Sequence, residues 1–188
     1  MTLHELRIST DRLVIRPFVS GDFPAFFAYH RLPEVYRYLY QDPLDETAAR
    51  AKFAKASAPR LDEDGDVAVF AVERQEDGAL IGEALLKLAS RAAEQAETGY
   101  IFNPAFARRG YATEAMRAVL DFGFSTLRLH RIFARLDALN RGSVGVVERL
   151  GMRREAHLIE NDRFNDVWGD EFVYALLRRE WLAHRQVG

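Results

Sequence analysis

The spacing of apolar residues changes along the chain between a two-residue period, typical of strands, and a three-and-four spacing, typical of amphipathic helices. In the first half, strands are predicted at residues 67–73, 80–88 and 97–102. The turn signal Asp77-Gly78 and a polar stretch at residues 90–95 separate them. Three neighbouring strands of this kind form an antiparallel meander. An earlier short apolar run is interrupted by Pro17, which is typical of an edge strand.

Helical patterns precede and follow this meander. Helices are predicted to start at Asp22 and at Pro33, and to cover residues 45–58, 110–127 and 143–150. Further strands are predicted at residues 131–136, 156–160 and 172–177. This order of strands and helices indicates an α+β (α/β) fold, in which one sheet carries helices on both faces. The length suits a single domain over residues 1–188.

Composition excludes several kinds of chemistry. The chain has no cysteine, so a disulfide, a thiolate metal site and a cysteine nucleophile are all excluded. Its five histidines lack metal-ligand spacing, and no metal is expected. No segment approaches the roughly 20 apolar residues of a membrane span, so we expect a cytoplasmic protein without a membrane partner. The formal net charge of -2 argues against direct nucleic-acid binding.

The charges are unevenly distributed. Residues 40–100 are rich in acidic side chains, whereas residues 101–154 are rich in arginine. One part of the molecule is therefore suited to a cation and another to an anion.

The segment RRGYATEA, residues 108–115, is the sharpest motif. A helix that begins directly after a glycine presents unpaired backbone N–H groups and the positive end of its dipole, which together bind anions. Gly110 allows close approach of the backbone or a positive φ, and Arg108 and Arg109 add charged donors. The motif predicts a site for a phosphate-bearing ligand.

A second motif follows the predicted strand at residues 131–136. Asn140 and Ser143 lie where the next helix begins, and either could be its N-cap. Because they come one strand after RRGYATEA, they could also form the neighbouring wall of the same cleft. Gly151 is a plausible left-handed stop for this helix.

With these motifs in place, the chain resembles the GCN5-related N-acetyltransferase (GNAT) superfamily, and within it the ribosomal-protein-alanine (RimJ/RimL-like) N-acetyltransferases. The matching segments are residues 10–18, 97–115 and 140–152 and the end through Trp168 and Tyr174. One departure is visible, because Ala107 stands where the family's pyrophosphate loop begins with Gln or Arg. Arg108 could compensate for this loss.

The resemblance implies a mixed, mostly antiparallel sheet of six to seven strands and acetyl transfer from acetyl-CoA to an amine. It implies that acetyl-CoA is bound by a set of residues at the fourth family strand, the pyrophosphate loop and the following helix: Ile101, Phe102, Asn103, Arg108, Arg109, Gly110, Tyr111, Ala112, Thr113, Asn140 and Ser143. Without a cysteine, we expect direct attack of the amine in a ternary complex.

The candidate catalytic residues are Glu97, Ser143 and Tyr111, with Asp66 and Tyr100 as alternatives. Glu97, on the predicted fourth strand, is the first choice to hold a water that accepts the amine proton, and Asp66 is the second. Ser143 resembles the family position proposed as general acid for the leaving thiolate, with Tyr111 or Tyr100 as substitutes.

The acceptor is expected to be a cation, most readily a ribosomal-protein N-terminus. An α-amino group has a free pKa near 8 and lysine one near 10.4, so an N-terminal acceptor needs less help from a base. The alternatives are a small-molecule amine, such as an aminoglycoside, polyamine or amino acid, and a non-catalytic acyl-CoA-binding module. A monomer and a homodimer are both compatible with the sequence.

Overall fold

The computed structural model describes residues 3–185, which form one eight-stranded sheet flanked by helices. The strands are β1 (Ile8–Ser9), β2 (Leu13–Arg16), β3 (Val67–Arg74), β4 (Leu80–Ser90), β5 (Gln95–Phe102), β6 (Arg131–Asp137), β7 (Arg153–Phe164) and β8 (Val167–Leu177). Their order in the sheet is β1-β2-β3-β4-β5-β6-β8-β7. Every neighbouring pair is antiparallel except β5 and β6, which are parallel. The mixed sheet confirms the predicted fold class, with one or two strands more than the resemblance implied.

The helices are α1 (Phe23–His30), α2 (Pro33–Tyr36), α3 (Glu46–Ala56), α4 (Tyr111–Asp121), α5 (Arg141–Arg149) and α6 (Arg178–Arg185). Asp45 caps α3 by accepting a hydrogen bond from the Ala48 N–H at 2.7 Å. The predicted helix over residues 110–127 becomes α4 followed by a π-helical turn, Phe122–Thr126.

Two apolar clusters cover the two faces of the sheet. The larger one packs α4 and α5 onto one face, with Met116, Leu120 and Ile132 fully buried. The smaller one packs α1 and α3 onto the other face around Phe26, with Ile101 at its border. Burial of apolar surface on both faces drives the layering. No helix within residues 3–185 has both the length and the apolar character needed to cross a bilayer.

Candidate active site

The central feature of the sheet is a fork between β5 and β6. These strands pair at only three positions, the last of which joins Glu97 to Phe133. Beyond it, β5 runs on to Phe102 and β6 to Asp137, and both strands line a cleft of about 930 Å³. Along this stretch β5 pairs with β4 alone, so its other edge has backbone N–H and C=O groups free for a ligand.

The cleft passes through the sheet, because successive side chains of a strand point to opposite faces. Tyr100 and Phe102 pack with the cluster under α4 and α5, whereas Ile101 packs with the cluster under α1 and α3. All three line the cleft. One half therefore lies beside the start of α4, and the other lies beside α2 and the segment that follows it.

The start of α4 has the geometry predicted from RRGYATEA. Gly110, the residue before the helix, has φ of 80°, and no side chain caps the first turn. Arg108 also has a positive φ, of 61°. Arg108, Ala112 and Thr113 line the cleft, so the uncapped end of α4 opens into it. A helix N-terminus left open in this way suits an anion such as a diphosphate.

Three residues that the sequence analysis did not single out hold this loop in place. Glu114 accepts hydrogen bonds from the Thr10 hydroxyl at 2.6 Å and from the Arg12 backbone N–H at 2.9 Å. The Arg12 guanidinium pairs with the same carboxylate at 2.6 Å and donates to the Arg109 carbonyl at 3.0 Å. More than 95 residues separate the partners in sequence. No local pattern could have revealed the pairing.

Of the two N-cap candidates for α5, Asn140 is the N-cap and Ser143 lies in the first turn of the helix. The Asn140 side chain is the N-cap of α5 and accepts a hydrogen bond from the Ser143 N–H at 3.1 Å. Both residues line the cleft. The cap therefore fixes Ser143 beside the half of the cleft that α4 borders.

The Tyr100 hydroxyl is a buried donor with no hydrogen-bond partner among residues 3–185. Burial raises the pKa of Tyr100 to about 12, although Ser143 and Arg149 act in the opposite direction. A buried polar group without a partner is costly unless a ligand satisfies it. Ser143, whose side chain is close enough to lower the pKa of Tyr100, or a ligand in the cleft that both residues line, can supply the missing partner.

The other half of the cleft is acidic. Among the described residues that line it, five are carboxylates: Glu34, Glu97, Asp137, Asp162 and Glu171. The cations are Lys52 and Arg135, and the Arg135 guanidinium is already paired with Glu171 at 2.7 Å. Glu97 stands at the vertex of the fork, where the two halves meet. This half is suited to a cationic ligand.

Some predicted residues lie elsewhere. Asn103 does not line the cleft, since its N–H donates to the Ile81 carbonyl at 2.9 Å and its side chain accepts from the Ala105 N–H at 3.0 Å. Arg109 also lies outside the lining, with its guanidinium 6.0 Å from the centre of the Phe106 ring.

Tyr111 borders the cleft, but its side chain is only 8% exposed and belongs to the core. Its ring lies under the Arg12 guanidinium at 4.7 Å. A packed ring in this position favours a structural role for Tyr111 over the role of proton donor.

Asp66 is not in the cleft lining. Its carboxylate accepts the backbone N–H groups of Glu63 and Asp62, which lowers the pKa of Asp66. These bonds close the loop before β3. Asp66 therefore does not suit the role of base, and Glu97 remains the candidate.

The two halves together define a class of protein. An open helix N-terminus, a free strand edge and the Tyr100 and Ser143 hydroxyls fit acetyl-CoA, whose diphosphate, pantetheine amides and thioester need such donors and acceptors. When bound, acetyl-CoA supplies an activated acetyl group. The acidic half beyond Glu97 fits an amine acceptor. The fold and the site are those of an N-acetyltransferase.

Comparison with known proteins assigns the chain to a family. Residues 12–153 match the acetyltransferase (GNAT) domain model, and the chain belongs to this family. The uncharacterized N-acetyltransferase YnaD of Bacillus subtilis is 32% identical over 176 residues, which cover 94% of this chain and 99% of YnaD. A GNAT-family acetyltransferase structure from Bacillus anthracis is 30% identical with a TM-score of 0.82, and covers 93% of this chain and 100% of its own. The chain is thus an acetyl-CoA-dependent N-acetyltransferase.

A third similarity is shorter. The Bacillus subtilis protein YdaF, whose name proposes a ribosomal N-acetyltransferase, is 31% identical over 109 residues. The match covers 58% of this chain and 60% of YdaF.

Proposed function

We propose that the chain acetylates the N-terminal α-amine of proteins, with ribosomal proteins as the leading acceptors. The acidic half of the cleft carries this proposal, since it sits on the far side of the fork from the open end of α4. A protonated amine is attracted to such a surface before it loses its proton to react. The partial similarity to YdaF supports a ribosomal acceptor.

The choice of an α-amine follows from how few free carboxylates lie at the vertex of the fork. Glu97 is half-buried at the vertex of the fork, and the other carboxylates next to it are engaged or lie further out. For example, Asp137 accepts a hydrogen bond from the Tyr40 hydroxyl at 2.5 Å, and Glu171 pairs with Arg135. An amine with a free pKa near 8 needs only a water held by Glu97, whereas a lysine side chain needs a stronger base.

On the other side of the fork, Ser143 and Tyr100 are donors. In the proposed reaction the amine nitrogen attacks the thioester carbonyl carbon and the C–S bond breaks. The thiolate takes a proton from water, or from Ser143, which then regains a proton from solvent. Glu97 accepts the proton of the amine through its water. Tyr100 donates a hydrogen bond without ionising. The chain has no cysteine to carry the acetyl group, so transfer is direct.

A matched pair of peptides tests the acceptor. One has a free α-amine, Ala or Ser first, and no lysine; the other has an acetylated N-terminus and one internal lysine. We expect CoA release with the first alone, measured by thiol titration with acetyl-CoA in excess. Spermidine and an aminoglycoside complete the panel.

Turnover of spermidine or the aminoglycoside without the free peptide would contradict the N-terminal proposal and support a small-molecule acetyltransferase. Release with the lysine peptide alone would contradict it as well. Glu97→Gln should lower kcat on the free peptide.

A further inference from the structure

We propose that Arg12 is a positioning residue for acetyl-CoA, acting through the loop that precedes α4. It fixes the carbonyl of Arg109 and neutralises Glu114, and both effects keep the open end of α4 favourable for a diphosphate. The proposal uses only the acetyl-CoA dependence of the family and does not depend on which amine is the acceptor.

The contacts of Arg12 converge on three points of one loop and helix. Its guanidinium binds the Glu114 carboxylate through two nitrogens, at 2.7 and 2.6 Å, and donates to the Arg109 carbonyl at 3.0 Å. Its flat face covers the Tyr111 ring at 4.7 Å. The planar fork of arginine suits this set of contacts, and lysine could not make all of them.

The bond to Arg109 orients a peptide group. In a trans peptide the C=O and the next N–H point in opposite directions. Because Arg12 holds the Arg109 carbonyl on its own side, the N–H of Gly110 points away from Arg12. Gly110 and Arg108 both have positive φ, which is a strained backbone for arginine and needs external support. Arg12 supplies that support.

The bond to Glu114 neutralises a carboxylate that lies close to the diphosphate site. Glu114 lies in the first turn of α4, where a carboxylate stabilises the helix dipole but repels a bound diphosphate. Arg12 and Thr10 both bind this carboxylate, and its side chain is only 16% exposed. The paired carboxylate therefore supports the helix with little net charge near the ligand.

A double-mutant cycle on CoA binding tests this role, with CoA itself as the probe in isothermal titration calorimetry. Arg12→Gln should raise the Kd for CoA about tenfold, as expected when one charge-assisted interaction is lost and a carboxylate is exposed. Glu114→Gln should have a smaller effect. The double variant should bind CoA more tightly than Arg12→Gln, because the unpaired carboxylate is gone.

A merely structural ion pair predicts a different pattern. In that case the double variant would bind CoA no better than Arg12→Gln, and this result would overturn the proposal. Unchanged CoA binding by Arg12→Gln would overturn it too. Arg12→Lys retains the charge and should lie between wild type and Arg12→Gln. The KM for the amine should stay constant in all variants, whereas a disturbed fold would change the KM for both substrates.

The exposed pair of Arg50 and Glu46 on α3 provides the control cycle. Neither residue lines the cleft. Arg50→Gln, Glu46→Gln and their combination should leave the Kd for CoA unchanged. Since the readout is CoA binding without an acceptor, failure of the N-terminal proposal would not affect it.

Discussion

At the scale of single residues, the Tyr100 hydroxyl is a donor in the lining of the cleft, with Ser143 beside it. It is buried, it lines the cleft, and its pKa is raised to about 12 by burial. The hydroxyl therefore keeps its proton from about pH 6 to about pH 10 and can donate throughout that range. Ser143, the neighbouring donor, is fixed by the Asn140 cap.

We predict that Tyr100→Phe lowers kcat about tenfold and that Ser143→Ala lowers it about 100-fold, the lower end of the range for loss of a proton donor. The KM for acetyl-CoA should change little, because each substitution removes a single donor. Steady-state kinetics over a range of pH measures this, and Tyr100→Phe should leave the shape of the profile intact.

Tyr174→Phe is the matched control for Tyr100→Phe. This variant also removes a tyrosine hydroxyl, here from a buried side chain. The Tyr174 hydroxyl donates a hydrogen bond to Glu148, and neither residue lines the cleft. Its loss should affect stability and not turnover. Equal kcat values for wild type and Tyr100→Phe would contradict a role for the Tyr100 hydroxyl in the reaction.

At the scale of elements, the N-terminal ends of α4 and α5 border the cleft, and each depends on a residue that fixes its first turn. Asn140→Ala should cost about 1 kcal/mol of stability, the usual loss for an N-cap, and should also lower kcat because Ser143 loses its fixed position. Urea unfolding and kinetics on the same preparation measure both effects.

Asp45→Ala removes the equivalent cap from α3, away from the fork. It should cost about the same stability. Only Asn140→Ala should lower kcat. A parallel loss of activity in both variants would mean that stability alone explains the effect.

The contacts between Glu114 and the turn before β2 predict a pH-dependent contribution to stability. Burial alone would raise the pKa of Glu114, but hydrogen bonds from Thr10 and Arg12 outweigh it and lower the pKa below 4.5. The unfolded chain then binds more protons than the folded one, so stability falls as pH falls. The contribution is complete above about pH 4.5 and is lost as pH falls through the lowered pKa.

Denaturant unfolding of wild type and Glu114→Gln at several pH values checks this sign. The stability difference between them should be constant near neutral pH and should shrink in acid. A difference that grew in acid would contradict the ionised pairing of Glu114 with Arg12.

Element boundaries show how far sequence patterns reach. The meander β3-β4-β5 is predictable because turn signals separate its apolar strands, and the start of α4 because its buried positions follow a helical period. The strand β7 was predicted only over residues 156–160, although it covers Arg153–Phe164. It is the edge strand and is mostly exposed, so its apolar alternation is weak.

At the scale of the whole molecule, the fork between β5 and β6 joins a phosphate-binding end to an acidic end. The sequence predicted the phosphate-binding end from residues 108–115 and could place Gly110, Asn140 and Ser143 near a ligand. It did not predict the acidic end from the acidic stretch 40–100, because Glu97 alone of the five cleft carboxylates lies in that stretch. It could not predict the contacts of Arg12 with Glu114, or the burial of Tyr100, because these depend on residues brought together only by the fold. Long-range contacts leave no periodic trace in a sequence.

Amide hydrogen exchange with and without CoA tests the central claim, that CoA binds along the fork and at the start of α4. We predict that CoA slows exchange in peptides covering residues 98–116, with the strongest effect over Gly110 to Thr113, whose N–H groups belong to the uncapped turn. Unchanged exchange in these peptides, together with protection elsewhere in the chain, would contradict the account.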